Sequence, residues 1–250
     1  MGRTQPRENC LWISPGDVTA DSPETSAQKF ARVIADRCNV VVAGLQVWRM
    51  HEGDPYDLQV EVAAVERVAA EQRMTRYHLF GFSAGATVAL AAALALGAAV
   101  RTVAVLEPAT IGDDEWGPAE GRWRRDLAGV RDLASERRPA AFRELMMGQG
   151  ERPPPSLPPP PIWNGRMDKL EDMLAAVGFL SSDLARISQP TLVLSGGRSN
   201  ARFLRLAERM VEVMPRAESV TFPRCSHLAP PHRDDPGQLS EVLTDFWASA

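Results

Sequence analysis

Tyr77-His78-Leu79-Phe80-Gly81-Phe82-Ser83-Ala84-Gly85 reads as the end of a strand, a glycine-flanked bend and the opening of a helix. The first four residues are aromatic or apolar enough for a short, buried extended segment. From Ala84 to Leu96 the chain is Ala-rich and almost wholly apolar, and Gly97 stands where such a helix would stop. Ser83 sits at the bend, on backbone that the turn must strain. Side chains two residues to either side of it would strike the strand or the helix, so those positions call for glycine. A Gly-x-Ser-x-Gly string alone is a weak signal. Between a strand and a helix it is the setting that holds a serine hydroxyl up as a nucleophile, and the helix N-terminus behind it favours negative charge. The competing reading is a small-residue turn that only packs a helix on a strand.

On both sides of this stretch, short apolar runs alternate with helical patterns. Leu11-Trp12-Ile13, Val40-Val41-Val42, Thr102 to Leu106, Thr191 to Leu194 and Ser219 to Phe222 read as further strands. Between them, Ser22-Pro23 and Asp54-Pro55 look like helix starts, each a capping residue followed by proline. Ala27, Phe30, Val33 and Ile34 form the inner stripe of the first helix, and Leu58, Val62, Val65 and Ala69 that of the second. Phe203, Ala207, Met210 and Met214 mark another helix, and Asp235-Pro236 begins the last. The expected fold class is α/β: a mostly parallel sheet of about six strands with helices on both faces.

The alternation fails between Ile111 and Ile187. That stretch holds helical pieces around Leu127, Val130 and Leu133, around Phe142, Leu145 and Met146, and around Leu170, Met173 and Leu174. Residues 152–161 are mostly proline, which forbids helix and sheet and favours a stiff extended loop. The expected organisation is a core of residues 1–110 and 188–250, with 111–187 as an inserted helical cap.

Composition narrows the function. Lys and Arg number 28 against 32 Asp and Glu, with no block of like charge, so the basic footprint of a nucleic-acid binder is missing. The longest apolar run, Ala84 to Val100, suits a buried helix better than a membrane span. Cys10, Cys38 and Cys225 have neither zinc-ligand nor redox-motif spacing and read as reduced thiols of a cytoplasmic protein. The first six residues have no signal-peptide character, and Pro6 stands against a myristoylation signal.

A serine hydroxyl needs a base. Of His51, His78, His227 and His232, His227 follows the last strand and precedes the last helix. In a parallel sheet that places it on the same edge as Ser83. His232 is the fallback, and His78 lies inside a strand.

With Phe80 to Gly85, the segment Gln189 to Gly196 and the Ser226-His227 loop, the chain resembles the α/β-hydrolase family from Leu11 to Trp247. The resemblance implies a serine, acid, histidine order and a cap over the active site. It departs from the family in three ways. The chain is similar to a version lacking the strand pair that usually comes first. The loop that usually carries the acid reads Gly197-Arg198-Ser199-Asn200. The oxyanion loop has Pro15-Gly16-Asp17 where the family often has His-Gly. Some relatives place the acid at the end of the preceding strand, where this chain has Glu107; a structural role for Leu106-Glu107-Pro108 competes, and Asp113 and Asp114 are weaker candidates.

The reading is therefore a serine hydrolase for an ester, thioester, lactone or related activated carbonyl of a small, partly apolar molecule. Ser83, His227 and Glu107 are the candidate catalytic residues, with the N–H groups of Ala84 and Asp17 as the oxyanion hole. Asp17 has two open readings, a plain turn residue or a substrate contact. Trp48, Trp116, Trp123 and Met146 are the candidate pocket residues. No metal or organic cofactor is implied, and neither nucleic acid nor membrane is an expected partner; a homodimer stays open. Acyl transfer, cyclisation or cofactor-free oxidative chemistry on the same fold is the alternative, as is a catalytically silent binding protein.

Overall fold

The computed structural model describes residues 8–16, 18, 24–51, 53–111, 117–147, 165–176, 179 and 181–250. Six strands form one sheet among them: β1 (Glu8–Ser14), β2 (Cys38–Gly44), β3 (Tyr77–Phe82), β4 (Val100–Leu106), β5 (Thr191–Gly196) and β6 (Ala217–Phe222). The order across the sheet is β2-β1-β3-β4-β5-β6, and every neighbouring pair is parallel. The chain steps outward from β1 to β2, then returns to lay β3 on the other side of β1. That reversal opens a crevice at the carboxyl ends of β1 and β3, where ligands bind in open α/β sheets.

The helices are α1 (Ser26–Val33), α2 (Leu58–Glu71), α3 (Ala84–Leu96), α4 (Pro118–Gly129), α5 (Arg138–Met146), α6 (Gly165–Ala176), α7 (Ser181–Leu184), α8 (Ala201–Val213), α9 (Pro231–Asp234) and α10 (Pro236–Ser249). Alternate residues of the strands feed two cores. Leu11, Ile13, Leu79, Val103, Val105 and Val193 face α2, α3 and α8. Cys10, Trp12, Phe80, Ala104, Leu106 and Leu194 face α1 and α10. Sandwiched this way, the central strands are apolar on both faces, which is why they read as continuous runs rather than as alternation. α3 is buried along most of its length, which explains its uniform hydrophobicity.

Two helix starts differ from the proline rule. α2 begins three residues after Asp54-Pro55, because Asp57 Oδ1 accepts from Val60 N (3.0 Å) while Asp54 Oδ2 closes a turn with His51 N (2.9 Å). α1 begins after Thr25, which forms a capping box with Gln28; Ser22-Pro23 lies outside the described residues. Between β4 and β5 the described residues are helical, but the stripe Leu127, Val130 and Leu133 is broken. α4 ends at Gly129 and a short 3₁₀ turn carries Val130. The proline-rich residues 152–161 lie outside the described residues. No helix among the described residues is long and apolar enough to cross a membrane.

Candidate active site

Ser83 follows β3 at φ 53°, ψ −121°, the strained bend expected of it. A Cβ on Gly81 would lie 2.4 Å from the carbonyl oxygen of Gly85, and one on Gly85 would lie 2.1 Å from that of Ile13. No side chain fits at either place, so β1, β3 and α3 close on the serine only because both residues are glycine. The bend is also tied to the neighbouring strand: Ser83 N donates to Leu106 O (3.0 Å) and Ala109 N to Ser83 O (3.1 Å).

Glu107 ends β4 in the same manner, at φ 46°. Phe82 and Leu106 are register partners, so Ser83 and Glu107 begin their turns side by side. From the far side of the sheet, His227 comes in on the loop after β6. Its Nε2 lies 3.2 Å from Ser83 Oγ and its Nδ1 lies 2.8 Å from Glu107 Oε2. Glu107 Oε1 accepts from Gly196 N (2.7 Å) and from the Ser199 hydroxyl. Two aromatic rings pack against the imidazole. Phe203 of α8 stacks on it with centroids 4.5 Å apart and planes within 4°, and Phe82 leans on it at 5.0 Å. With both nitrogens engaged and two aromatic rings against it, the imidazole is held in place.

The other histidines lie elsewhere. His51 is exposed. His78 is buried in the sheet with Nδ1 2.8 Å from Thr102 Oγ1, and burial, the largest influence, holds its pKa down to about 4. His232 walls the same cavity, but its Nε2 pairs with Ser26 Oγ (3.1 Å). Burial first, then the charges of Arg233 and His227, lowers its pKa to about 3, so it is neutral at pH 7.

Ser83 and His227 open onto a cavity of about 360 Å³. Trp48, Phe142, Met146, Met167, Leu170 and Leu174 give it apolar walls; Ser26, His232 and Arg233 are the polar lining residues besides the serine and histidine. Trp48 is fixed there by its indole N–H, which donates to Pro15 O (2.8 Å). Trp123 is a correction to the expected pocket set. It is buried away from this cavity, under the Arg202 guanidinium at 3.7 Å from the ring centroid. Arg202 in turn makes two hydrogen bonds to Glu120, of 2.6 and 2.7 Å, which fasten α4 to the start of α8. Trp116, Asp17, Asp113 and Asp114 lie outside the described residues.

Residues 26–242 match the sequence model of the alpha/beta hydrolase family. The chain belongs to that family. Among solved structures, this alpha/beta hydrolase is similar to MenH from S. aureus, at 13% identity and TM-score 0.71, with 99% of this chain and 96% of that one covered. A putative lipase from Acinetobacter baumannii AYE aligns at 15% identity and TM-score 0.70 over 97% of this chain and 84% of the other. A membrane phospholipase A described as a bacterial virulence factor aligns at 22% identity and TM-score 0.69, over 97% and 79%. No curated protein matches the sequence significantly.

Sequence reasoning passed over Phe203, Ser199 and the Arg202–Glu120 pair. Phe203 was legible only as an inward-facing helix residue, and nothing in its spacing links it to a histidine later in the chain. Leu170 and Leu174 had a signal: a helix rich in large apolar groups, placed where a cap is expected.

Proposed function

We propose that this enzyme hydrolyses an ester, thioester, lactone or related activated carbonyl of a small, partly apolar molecule through Ser83, His227 and Glu107. The observation that carries the reading is the unbroken line Ser83 Oγ–His227–Glu107, at 3.2 and 2.8 Å, beside an apolar-walled cavity. In the first half-reaction the Ser83 oxygen bonds to the substrate carbonyl carbon as its proton passes to His227 Nε2. The carbonyl oxygen takes up the negative charge near Ala84 N–H, one of the first helical amides that have no acceptor within their own helix. Asp17 N–H is the second donor assigned from the sequence. The bond to the leaving group then breaks, and His227 returns the proton to that group. Water repeats the sequence on the acyl-serine and releases the acid. Glu107 accepts the Nδ1–H, which sets the tautomer, and its charge stabilises the transient imidazolium.

The helices between β4 and β5 act as the cap, since α5 and α6 supply Phe142, Met146, Met167, Leu170 and Leu174 to the cavity wall. Three free, buried thiols fit a reducing compartment. A fluorophosphonate probe tests the reading: wild type is labelled, Ser83→Ala is not, and p-nitrophenyl esters are turned over only by the former. A folded wild type that neither reacts with the probe nor cleaves any activated ester overturns it.

A further inference from the structure

The Glu107 carboxylate is long, buried and attached to a turn, so something must fix where its charge sits. Its Oε2 faces His227. Its Oε1 is held by two donors from a single loop, Gly196 N at 2.7 Å and the Ser199 hydroxyl. Both Glu107 and Ser199 are buried. That loop is itself fixed to the turn leading to His227: Gly197 N donates to Phe222 O (2.8 Å) and Arg198 N to Cys225 O (3.0 Å). The hydroxyl, the carboxylate and the imidazole therefore lie in a row, and the two loops that carry the first and the last are hydrogen-bonded to each other.

We propose that Ser199 is a positioning residue for Glu107. The proposal rests on the catalytic reading above. Without the hydroxyl, Glu107 keeps one donor on Oε1, and its side chain regains rotamers in which Oε2 no longer meets Nδ1. Chemistry suffers while binding does not, because Ser199 is not a wall of the substrate cavity.

The test compares purified full-length Ser199→Ala, Ser199→Thr and Glu107→Ala with wild type. Ester hydrolysis and the rate of fluorophosphonate labelling are both read. Ser199→Ala is expected to lower kcat about tenfold at unchanged KM, as befits one hydrogen bond to a charged group. Ser199→Thr, which keeps the hydroxyl, recovers most of that loss. Ser199→Ala within twofold of wild type, or a Thr variant no better than Ala, overturns the positioning role. Glu107→Ala within tenfold of wild type overturns the acid assignment itself, so the two failures are read apart. Labelling of wild type keeps these results separate from the nucleophile assignment, which fails only if wild type itself is inert.

Discussion

Replacing Glu120 by Gln removes one charge from a place where its absence is costly. The Arg202 side chain is 4% exposed and the Glu120 side chain 3%. Arg202 meets Glu120 through Nε and Nη2, gives a further hydrogen bond to Ala109 O (2.8 Å) and lies flat on Trp123. Burial pushes the guanidinium pKa down, and the Glu120 contact opposes it. Glutamine keeps the shape but sets an NH₂ against a donor and leaves the cation without its counter-charge. Arg124, whose Nε lies 3.9 Å from the same carboxylate, loses it too. Removing one partner of a buried pair costs about 3–5 kcal/mol. In a domain of this size each kcal/mol is roughly 2–4 °C, so the melting temperature falls by roughly 6–20 °C. Calorimetry or urea unfolding measures it. The matched control is Glu120→Leu/Arg202→Met, which removes both charges. It strands the Ala109 carbonyl and, like Glu120→Gln, takes the carboxylate away from Arg124, and should still lie within about 2 kcal/mol of wild type. A Glu120→Gln protein within about 1 kcal/mol of wild type refutes the claim that this pair secures α4 to α8.

Three further outcomes are expected. Glu107→Gln keeps the carbonyl that can face His227 but lacks the charge, and kcat should drop by roughly 10³–10⁴ with KM little changed; steady-state kinetics on an activated ester decides, and a loss below tenfold speaks against Glu107 as the acid. Gly85→Ala places a methyl 2.1 Å from the Ile13 carbonyl oxygen, so β1 and α3 must part, and soluble, cooperatively melting protein should not be recovered; a variant melting near wild type contradicts the packing. Glu171 on α6 is buried with neither carboxyl oxygen paired, and burial, then Asp168, raises its pKa to about 8. The folded state thus holds a proton that the unfolded chain releases near pH 4.3, so this group makes stability decline from about pH 4 to 8. Glu171→Gln should flatten that slope and be the more stable protein at pH 8–9, as denaturant titrations across pH would reveal; an unchanged slope excludes it.

The central strands were readable because a parallel sheet buried on both faces demands runs such as Leu11-Trp12-Ile13 and Thr102–Leu106, and little else does. Helix starts were less so. At Asp54 and Asp57 two aspartates stand three residues apart, and which one caps depends on which amide the chain brings within reach. The serine and histidine were legible from local context, one a bend between strand and helix, the other a loop after the final strand. Glu107 could be named only by combining its place at a strand end with the lack of a carboxylate in the loop after β5. The packing around them was not legible. Phe203 meets His227, and Arg202 meets Glu120, across long stretches of chain, and no periodicity encodes such encounters.

Ser83 and Glu107 leave adjacent strands at matched heights, joined by the ladder itself. The backbone spacing of Ser83 and Glu107 is thus a lattice constant of the sheet, and side-chain contacts decide only what lies beyond it. Under the proposed function, the cavity walls that α5 and α6 supply can be rebuilt to admit a different molecule while that spacing is kept. For anyone redesigning this scaffold, selectivity and chemical competence are separate dials, and only the second is wired into the backbone.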